Sequence, residues 1–290
     1  MSLALPTAVI VTFNSAHVLK PCMDALNEQG VSIIIVDNAS TDGSAEYAAQ
    51  LGATVIHNTQ NQGYGRANNQ GIRAAQSDYV LIVNPDLVVE KGAIAALLKA
   101  TIDYPQAGIL APQIVEPSGR IFFQPRSMLS RTLTNPHGKL SIPQYDACTP
   151  FVSGACMCVN RAVFLALDGF DANIFLFYED DDLCRRMMDA GHEVVFIPQA
   201  RAVHLRGQSS QPVRGHVYKS RWHQAWSRGY VARKYGLKPT HIRDILKNAP
   251  KYIGSALVFY RSGMERYGGT CAGAWASFKK KSATSSIDIR

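Results

Sequence analysis

The sequence predicts an α/β fold built on a mostly parallel sheet, followed by a basic helical extension. Three observations predict it. Short β-branched apolar runs alternate with helix-period stretches over the first third of the chain. Those runs are continuous rather than alternating, as in strands covered on both faces by helices. The polar clusters fall at the carboxyl ends of the runs, where sheets of this kind bind ligands.

In chain order, Ala8–Phe13 reads as a buried strand and 16–28 as a helix. Ser32–Val36 is a second strand ending at Asp37, with a helix over Gly43–Leu51. Ala53–His57 is a strand, Gly65–Gln76 a helix, and Tyr79–Val83 a strand running into Asn84, Pro85 and Asp86. Lys91–Thr101 reads as a helix, and Glu116–Arg120 has the Pro, Ser and Gly of a hairpin turn. Ser127–Pro150 predicts a long loop that walls or closes a cleft. Beyond it come a strand over Phe151–Val159, a helix from Arg161, a helix entered by Glu179–Asp182 and a strand over Glu193–Ile197. Lys219–Tyr235 is a basic, aromatic helix, and residues from Lys281 onward read as a frayed end.

With 290 residues, 47% of them hydrophobic and 18% charged, the chain is neither collagenous, wholly disordered nor a disulfide-stapled miniprotein. Charge is divided along it. Residues through Cys184 carry a net −7, and those from Arg185 onward a net +15. A polyanionic partner for the second part follows: a membrane surface, a phosphate-bearing substrate or a nucleic acid. The six cysteines show no C-x-x-C spacing, so zinc is not indicated, and reduced thiols in an intracellular protein are expected. The N-terminus has no basic segment before its first strand, so no signal peptide is predicted. No apolar run reaches the roughly 18 residues of a membrane span.

Four clusters could carry chemistry. The run from Asp37 to Ser44 follows a strand and opens a helix; Ser40 or Asp42 would cap that helix, while Asp37 could accept the N3–H of a uracil or thymine ring. Asn61–Gly71 brings Gly63, Gly65, Arg66 and Asn69 to a helix start, which is either a tight turn or a cradle for an anion. Asn84-Pro85-Asp86 is a turn by composition, yet a carboxylate there suits Mg²⁺ or Mn²⁺ shared with phosphates. Glu179, Asp180, Asp181 and Asp182 exceed what helix capping needs; crowded carboxylates hold a proton more tightly, as a general base must. His204, after a strand, is structural unless a metal is present.

Taken in order, these clusters resemble the family-2 inverting glycosyltransferases of GT-A fold, a Rossmann-like nucleotide-binding architecture. The resemblance rests on Thr12-Phe13-Asn14, Asp37–Asp42, Asn61–Gly71, Asn84-Pro85-Asp86, Ser153-Gly154-Ala155, Glu179–Arg186 and Val203-His204, and covers residues 7–237. Within the family the chain is most similar to the rhamnosyltransferase-type branch of bacterial cell-surface polysaccharide synthesis. The resemblance implies a GT-A domain over 1–237 (nucleotide-sugar half 7–110, acceptor half 111–237) and a basic amphipathic segment over 238–290.

It also implies roles. Thr12, Phe13, Asn14, Asp37, Arg66, Asn69, Asn84 and Asp86 would bind the donor. Asp86 and His204 would hold Mg²⁺ or Mn²⁺, and Asp180 would be the catalytic base. Gly154, Ala155, Glu179 and Asp182 would lie on the acceptor side. Asn84 stands where the family's metal motif usually has its first acid, leaving one carboxylate there. The implied donor is dTDP-L-rhamnose or another dTDP- or UDP-sugar such as a UDP-hexose or UDP-galactofuranose. The implied acceptor is a glycolipid or oligosaccharide, met by a cytoplasmic protein in peripheral contact with the anionic inner face of the membrane. The basic residues between Arg206 and Lys234, Arg214 among them, and the apolar 252–260 segment between Lys251 and Arg261 fit such contact; an oligomer interface is the other use for that segment. A nucleotidyltransferase would need a Gly-rich basic loop after the first strand, which Thr12–Ser15 is not, and the acidic first part speaks against a nucleic-acid binder.

Overall fold

A computed structural model describes residues 4–124, 127–129, 141–211 and 215–283. The chain divides into two compact units. One comprises Met1–Gln62, Arg66–Phe170 and Asp180–Gln211; the other comprises Gly63–Gly65, Asp171–Glu179 and Pro212–Arg290.

The first unit opens with β1 (Thr7–Thr12), α1 (Ala16–Asn27), β2 (Ser32–Asp37), α2 (Ser44–Gln50), β3 (Thr54–His57), α3 (Tyr64–Ala74, its first turn in the second unit) and β4 (Tyr79–Val83). It continues with β5 (Leu87–Val89), α4 (Ala93–Asp103), β6 (Ala107–Val115), β7 (Ile121–Phe122), β8 (Ala147–Cys148), β9 (Cys156–Asn160), α5 (Arg161–Ala166), α6 (Glu179–Asp189) and β10 (Glu193–His204). The sheet order is β3-β2-β1-β4-β9-β6-β10-β5, with β7 added on β6 and β8 on β10. β1 runs parallel to β2 and β4, β2 to β3, and β6 to β10, while β9 is wedged antiparallel between β4 and β6.

The pairing of β1 with β2 sets Thr12 beside Asp37, so both strands deliver a polar residue to the same edge. Ile10, Ile35, Leu81 and Leu110 anchor one core with Leu19, Met23 and Leu26 of α1. Each such side chain stabilises the fold by about 1.5–3 kcal/mol on burial. Gly71 lets α3 lie directly on the sheet: a Cβ there would run into Val9 and press on Val36.

The structure departs from the sequence reading at three places. The strand expected over Phe151–Val159 pairs only from Cys156, because the backbone before it is hydrogen-bonded elsewhere: Ala155 O accepts from the Asn84 amide, and Gly154 N donates to Asp180. β5, β6 and β8 were not anticipated; β8 falls within the loop expected over Ser127–Pro150 and pairs with β10, and β6 contains Gly108 and Pro112, which mask it in a sequence pattern. His204 lies on a strand rather than after one, since β10 runs past an irregularity between Ile197 and Arg201. The Glu116–Arg120 turn is present, closing β6 on β7 through Glu116 N and Arg120 O. Residues 130–140 of the expected loop over Ser127–Pro150, Arg214, and the end of the chain from 284 lie outside the described residues.

The second unit is built from α7 (His216–Lys234), α8 (His241–Leu257) and α9 (Arg261–Phe278). Trp222 and Trp226 are buried with Phe175 and Ala276, and the Trp226 ring stacks on Tyr230 at 5.2 Å. Gly269 and Gly273 bring α9 against the α7 backbone, where a Cβ would meet the carbonyls of Tyr218 and Trp222. The basic residues of α7 are largely engaged within the unit. Arg228 pairs with Asp244, Lys234 with Asp171 at 2.7 Å, and Arg233 donates to Ser277. So α7 is the packed core of this unit and not an exposed basic surface.

His223 is buried in that core, stacked on Phe175 at 4.5 Å. Burial, and secondarily the Lys219 charge, push its pKa down to about 4. A histidine whose folded pKa is depressed favours the native state above its unfolded pKa of about 6.5 and progressively less as pH falls toward 4. Thermal unfolding followed by tryptophan fluorescence should therefore show stability declining between about pH 6.5 and 4. His223→Phe should flatten that decline; an unchanged pH profile would show that His223 is not its source.

Candidate active site

The carboxyl ends of β1 and β2 form the first wall of the site. Asp37 is buried, and its Oδ1 accepts the Thr12 hydroxyl at 2.8 Å while its Oδ2 accepts Ser40 N at 3.0 Å. Two acceptor positions per carboxylate oxygen leave room for a further donor. Asn14 sits at φ 55, a left-handed conformation that Asn tolerates better than most residues. There its amide reaches Ser40 Oγ, and its side-chain oxygen accepts Thr41 N at 2.8 Å. Phe13 between them is half-buried, its amide donating to Ser15 Oγ. Asp42 links two helix starts, accepting the amides of Ala16 and Ser44, the first residues of α1 and α2. Burial opposes its charge, but the Ser44 and Ala16 hydrogen bonds outweigh it and hold its pKa below the usual carboxylate value.

Asp86 is the second wall. It is buried, with His204 Nε2 3.3 Å from Oδ1, the Ser209 hydroxyl donating to Oδ1 at 2.6 Å and Gln208 N donating to Oδ2 at 3.2 Å. The pairing of His204 with Leu87 across β10 and β5 fixes that approach. Burial would raise the carboxyl, but the bonds from His204 and Ser209, the His204 charge and the Gln208 amide prevail, so its pKa lies below the ordinary value. The same 205–211 segment ties this wall to the first. Ser209 O accepts Ser15 Oγ, and Gln211 N donates to Asn14 O at 3.0 Å. Ser15, Gln208 and Ser209 escaped the sequence reading, and Ser40 was read as a helix cap; the Gly207-Gln208-Ser209-Ser210 turn composition after His204 was the available signal.

The third wall starts α6. Asp180 keeps an open edge, and its Oδ2 accepts Gly154 N at 3.0 Å. The neighbouring Asp181 is buried and accepts Met128 N at 3.2 Å. Burial raises the pKa of both, against too few amide donors at Asp180, and the Asp180 charge pushes Asp181 further up. Two adjacent carboxyls therefore hold protons more tightly than ordinary acids do. Through Ala155 and Gly154, one short backbone stretch is bonded on one side to Asn84 N at 2.8 Å and on the other to Asp180.

Two expected site residues are engaged in packing. Asn69 clasps the Phe170 backbone with both amide atoms, each bond 2.8 Å, and Gly169 at φ 67 has no space for a Cβ beside it. Asp182 is fully buried against Arg186 Nε at 2.8 Å, and Arg186 donates onward to Leu167 O and Gly169 O. Arg66 is half-buried in α3, and Glu179, in the second unit, is buried.

Residues 7–167 match the family described as glycosyl transferase family 2. The chain belongs to that family. This glycosyltransferase is 30% identical over 234 residues to the N-acetylglucosaminyl-diphospho-decaprenol L-rhamnosyltransferase of Mycobacterium tuberculosis, covering 70% of this chain and 76% of that one. It is 23% identical over 246 residues to the rhamnosyltransferase WbbL of Escherichia coli, covering 78% and 92%. Its fold matches the mannosyltransferase PcManGT of Pyrobaculum calidifontis, solved with GDP-Man and Mn²⁺, at a TM-score of 0.59 and 16% identity over 97% of this chain and 90% of that one.

The chemistry of the donors present here suits such a cation. Among the described residues no three His, Cys, Asp or Glu side chains converge, but Asp86 and His204 supply one carboxylate and one imidazole. Mg²⁺ and Mn²⁺ accept one or two protein ligands when phosphates and water complete the shell.

The unlike surroundings of Asp180 and Asp182 make a stability test. Asp182→Asn leaves the half-buried Arg186 without its counter-charge, and breaking a buried pair costs up to about 3–5 kcal/mol. For Asp180 the sign reverses. Its raised pKa means that ionisation above the unfolded value weakens folding, so Asp180→Asn should unfold at or above the wild-type urea midpoint at pH 8. Equal losses in the two variants would contradict this division.

Proposed function

We propose that this glycosyltransferase moves L-rhamnose from dTDP-L-rhamnose to a lipid-linked saccharide acceptor in cell-surface polysaccharide synthesis, inverting the anomeric carbon. The observation that carries the catalytic part is the Asp180 carboxyl, partly open, raised in pKa and oriented by the Gly154 amide. The names of the two relatives support rhamnosyl transfer, and that of the mycobacterial enzyme supports the lipid-linked acceptor.

In this reading Asp37 accepts the N3–H of the pyrimidine, with Thr12, Phe13 and Asn14 around the nucleoside and Arg66 near the diphosphate. Asp86 and His204 would hold a divalent cation, which would offset the charge of the departing diphosphate. Asp180 takes the proton of the acceptor hydroxyl as that oxygen attacks the anomeric carbon. The sugar–phosphate bond breaks on the opposite face, and the nucleoside diphosphate leaves with the bonding pair. Gly154 keeps the carboxylate turned toward the acceptor, and Ala155 keeps Gly154 in register with Asn84.

Asp180→Asn retains size but not basicity, so transfer should fall about 10²–10⁴-fold with nucleotide affinity nearly unchanged. Asp181→Asn removes a neighbouring negative charge, so the acidic limb of the kcat/KM profile should move to lower pH. Near-normal turnover of Asp180→Asn would give the base to another acid. Thermal-shift titration should show dTDP or UDP stabilising the protein more than GDP, since a ligand that binds only the native state adds its binding energy to folding. Asp86→Ala should weaken the Mn²⁺-dependent part of that stabilisation, and His204→Ala should weaken it less. Transfer indifferent to EDTA would remove the cation from the scheme.

A further inference from the structure

Among the described residues, nothing covers one face of α8. Ile242, Leu246, Ile253 and Leu257 are all exposed, Leu246 by 70% and Leu257 by 75%. At 100° per residue they fall within an arc of about 60°. Arg243, Lys247 and Lys251 occupy the adjoining arc, and Gly254 among them has nothing within 4 Å of where a Cβ would be. The stripe is extended at both ends. Beyond Leu257 a tight turn, closed by Tyr260 N on Ser255 O at 2.8 Å, holds Phe259 at φ 52 with 88% of its surface exposed. At the other end, Phe278 of α9 meets His241 edge-on and stacks on the exposed Trp275, over which Lys279 lies.

We propose that this face is a docking surface for an anionic lipid bilayer. Its chemistry selects that occupant. Residues 241–283 hold eight Lys and Arg against two acids, Asp244 and Glu265. Both acids are engaged, Asp244 with Arg228 and Thr240 and Glu265 with Arg261. An apolar row beside a cationic row, with Trp and Tyr at the margins, is the pattern of a helix lying in the headgroup plane. A second copy placed face to face would set Arg243, Lys247 and Lys251 near their own counterparts, an arrangement that like charges oppose. Among the described residues no helix is long and apolar enough to cross a membrane, so the contact is peripheral. It goes beyond the assignment of donor and acceptor and does not depend on it.

Removing residues 238–290 is not a usable test, because α9 covers Trp222 and Trp226, and Trp226 Nε1 donates to Lys281 O at 2.8 Å. Surface substitutions in the full chain are. The intact protein should sediment with phosphatidylcholine vesicles containing phosphatidylglycerol at low salt and much less with phosphatidylcholine alone. Each basic residue near such a surface is worth about fivefold in partitioning, so Lys247→Gln with Lys251→Gln should reduce it about 25-fold. Leu246→Ser with Phe259→Ser should abolish the binding that persists at high salt. Both double variants should keep wild-type nucleotide affinity, which separates loss of docking from loss of fold or donor site. Failure of the wild type to bind anionic vesicles at low salt would overturn the proposal. So would a concentration-dependent dimer abolished by Leu246→Ser, which would give the face to a second copy.

Discussion

A carboxylate taken out of water must be given hydrogen bonds in exchange, and the sheet-bearing unit is arranged around that requirement. Desolvating one carboxylate costs several kcal/mol, and each bond to an ionised group returns about 1.5–3 kcal/mol. Asp86 receives an imidazole, a hydroxyl and an amide, and Asp42 receives amides and a hydroxyl; both stay more acidic than usual. At Asp180 and Asp181 desolvation outweighs the amide and hydroxyl donors, the Asp180 charge adds to it at Asp181, and the proton affinity of both rises. The balance of desolvation against donors thus divides the acids of one site into anions and a pair suited to accepting a proton.

Those donors come from irregular backbone, which explains where the regular elements stop. β9 cannot begin before Cys156, since Gly154 N and Ala155 O are committed to Asp180 and Asn84. Residues 205–211 leave β10 to supply Gln208 N and Ser209 Oγ to Asp86, then reach Ser15 and Asn14 at the end of β1. The β1–β2 wall, the Asp86 wall and the α6 wall are therefore fixed to one another by main-chain bonds within one unit. A substitution that shifts Ser209 or Gly154 moves a carboxylate without touching it.

The alternation of the first half was legible because β1 to β4 and the helices between them carry their apolar residues at the expected periods, and the hinge acids sit where strands end. Asp37 and Asp86 stood out for that reason, and Asp180 because four acids crowd the start of a helix. Ser209 and Ser15 did not, since a serine in a loop has no periodicity and acquires meaning only from the groups it faces. Asn69 and Asp182 show the converse. Both fall in motif positions, yet the partners that occupy them, the Phe170 backbone and Arg186, are set by tertiary packing; Phe170 is far away in sequence. β6 was hidden by Gly108 and Pro112. Gly108 is there because a Cβ would press on Met187 and His192, a constraint visible only after α6 is in place.

The basic, aromatic C-terminal part reads as one composition but is used in two opposite ways. On α7 the aromatics point inward and the cations are bound at home: Trp222 and Trp226 fill the core, while Arg228 and Lys234 neutralise Asp244 and Asp171. On α8 the order is inverted. Its polar side, with His241, Asp244 and Ser255, packs inward against α7 and α9, and Ile242, Leu246, Ile253 and Leu257 face solvent beside Arg243, Lys247 and Lys251. Leaving Ile242, Leu246, Ile253 and Leu257 in water forgoes about 1.5–3 kcal/mol per side chain relative to burial. A helix that buries its polar side and exposes its apolar one is stabilised only if something else covers that face, and the adjoining cations favour a negatively charged cover.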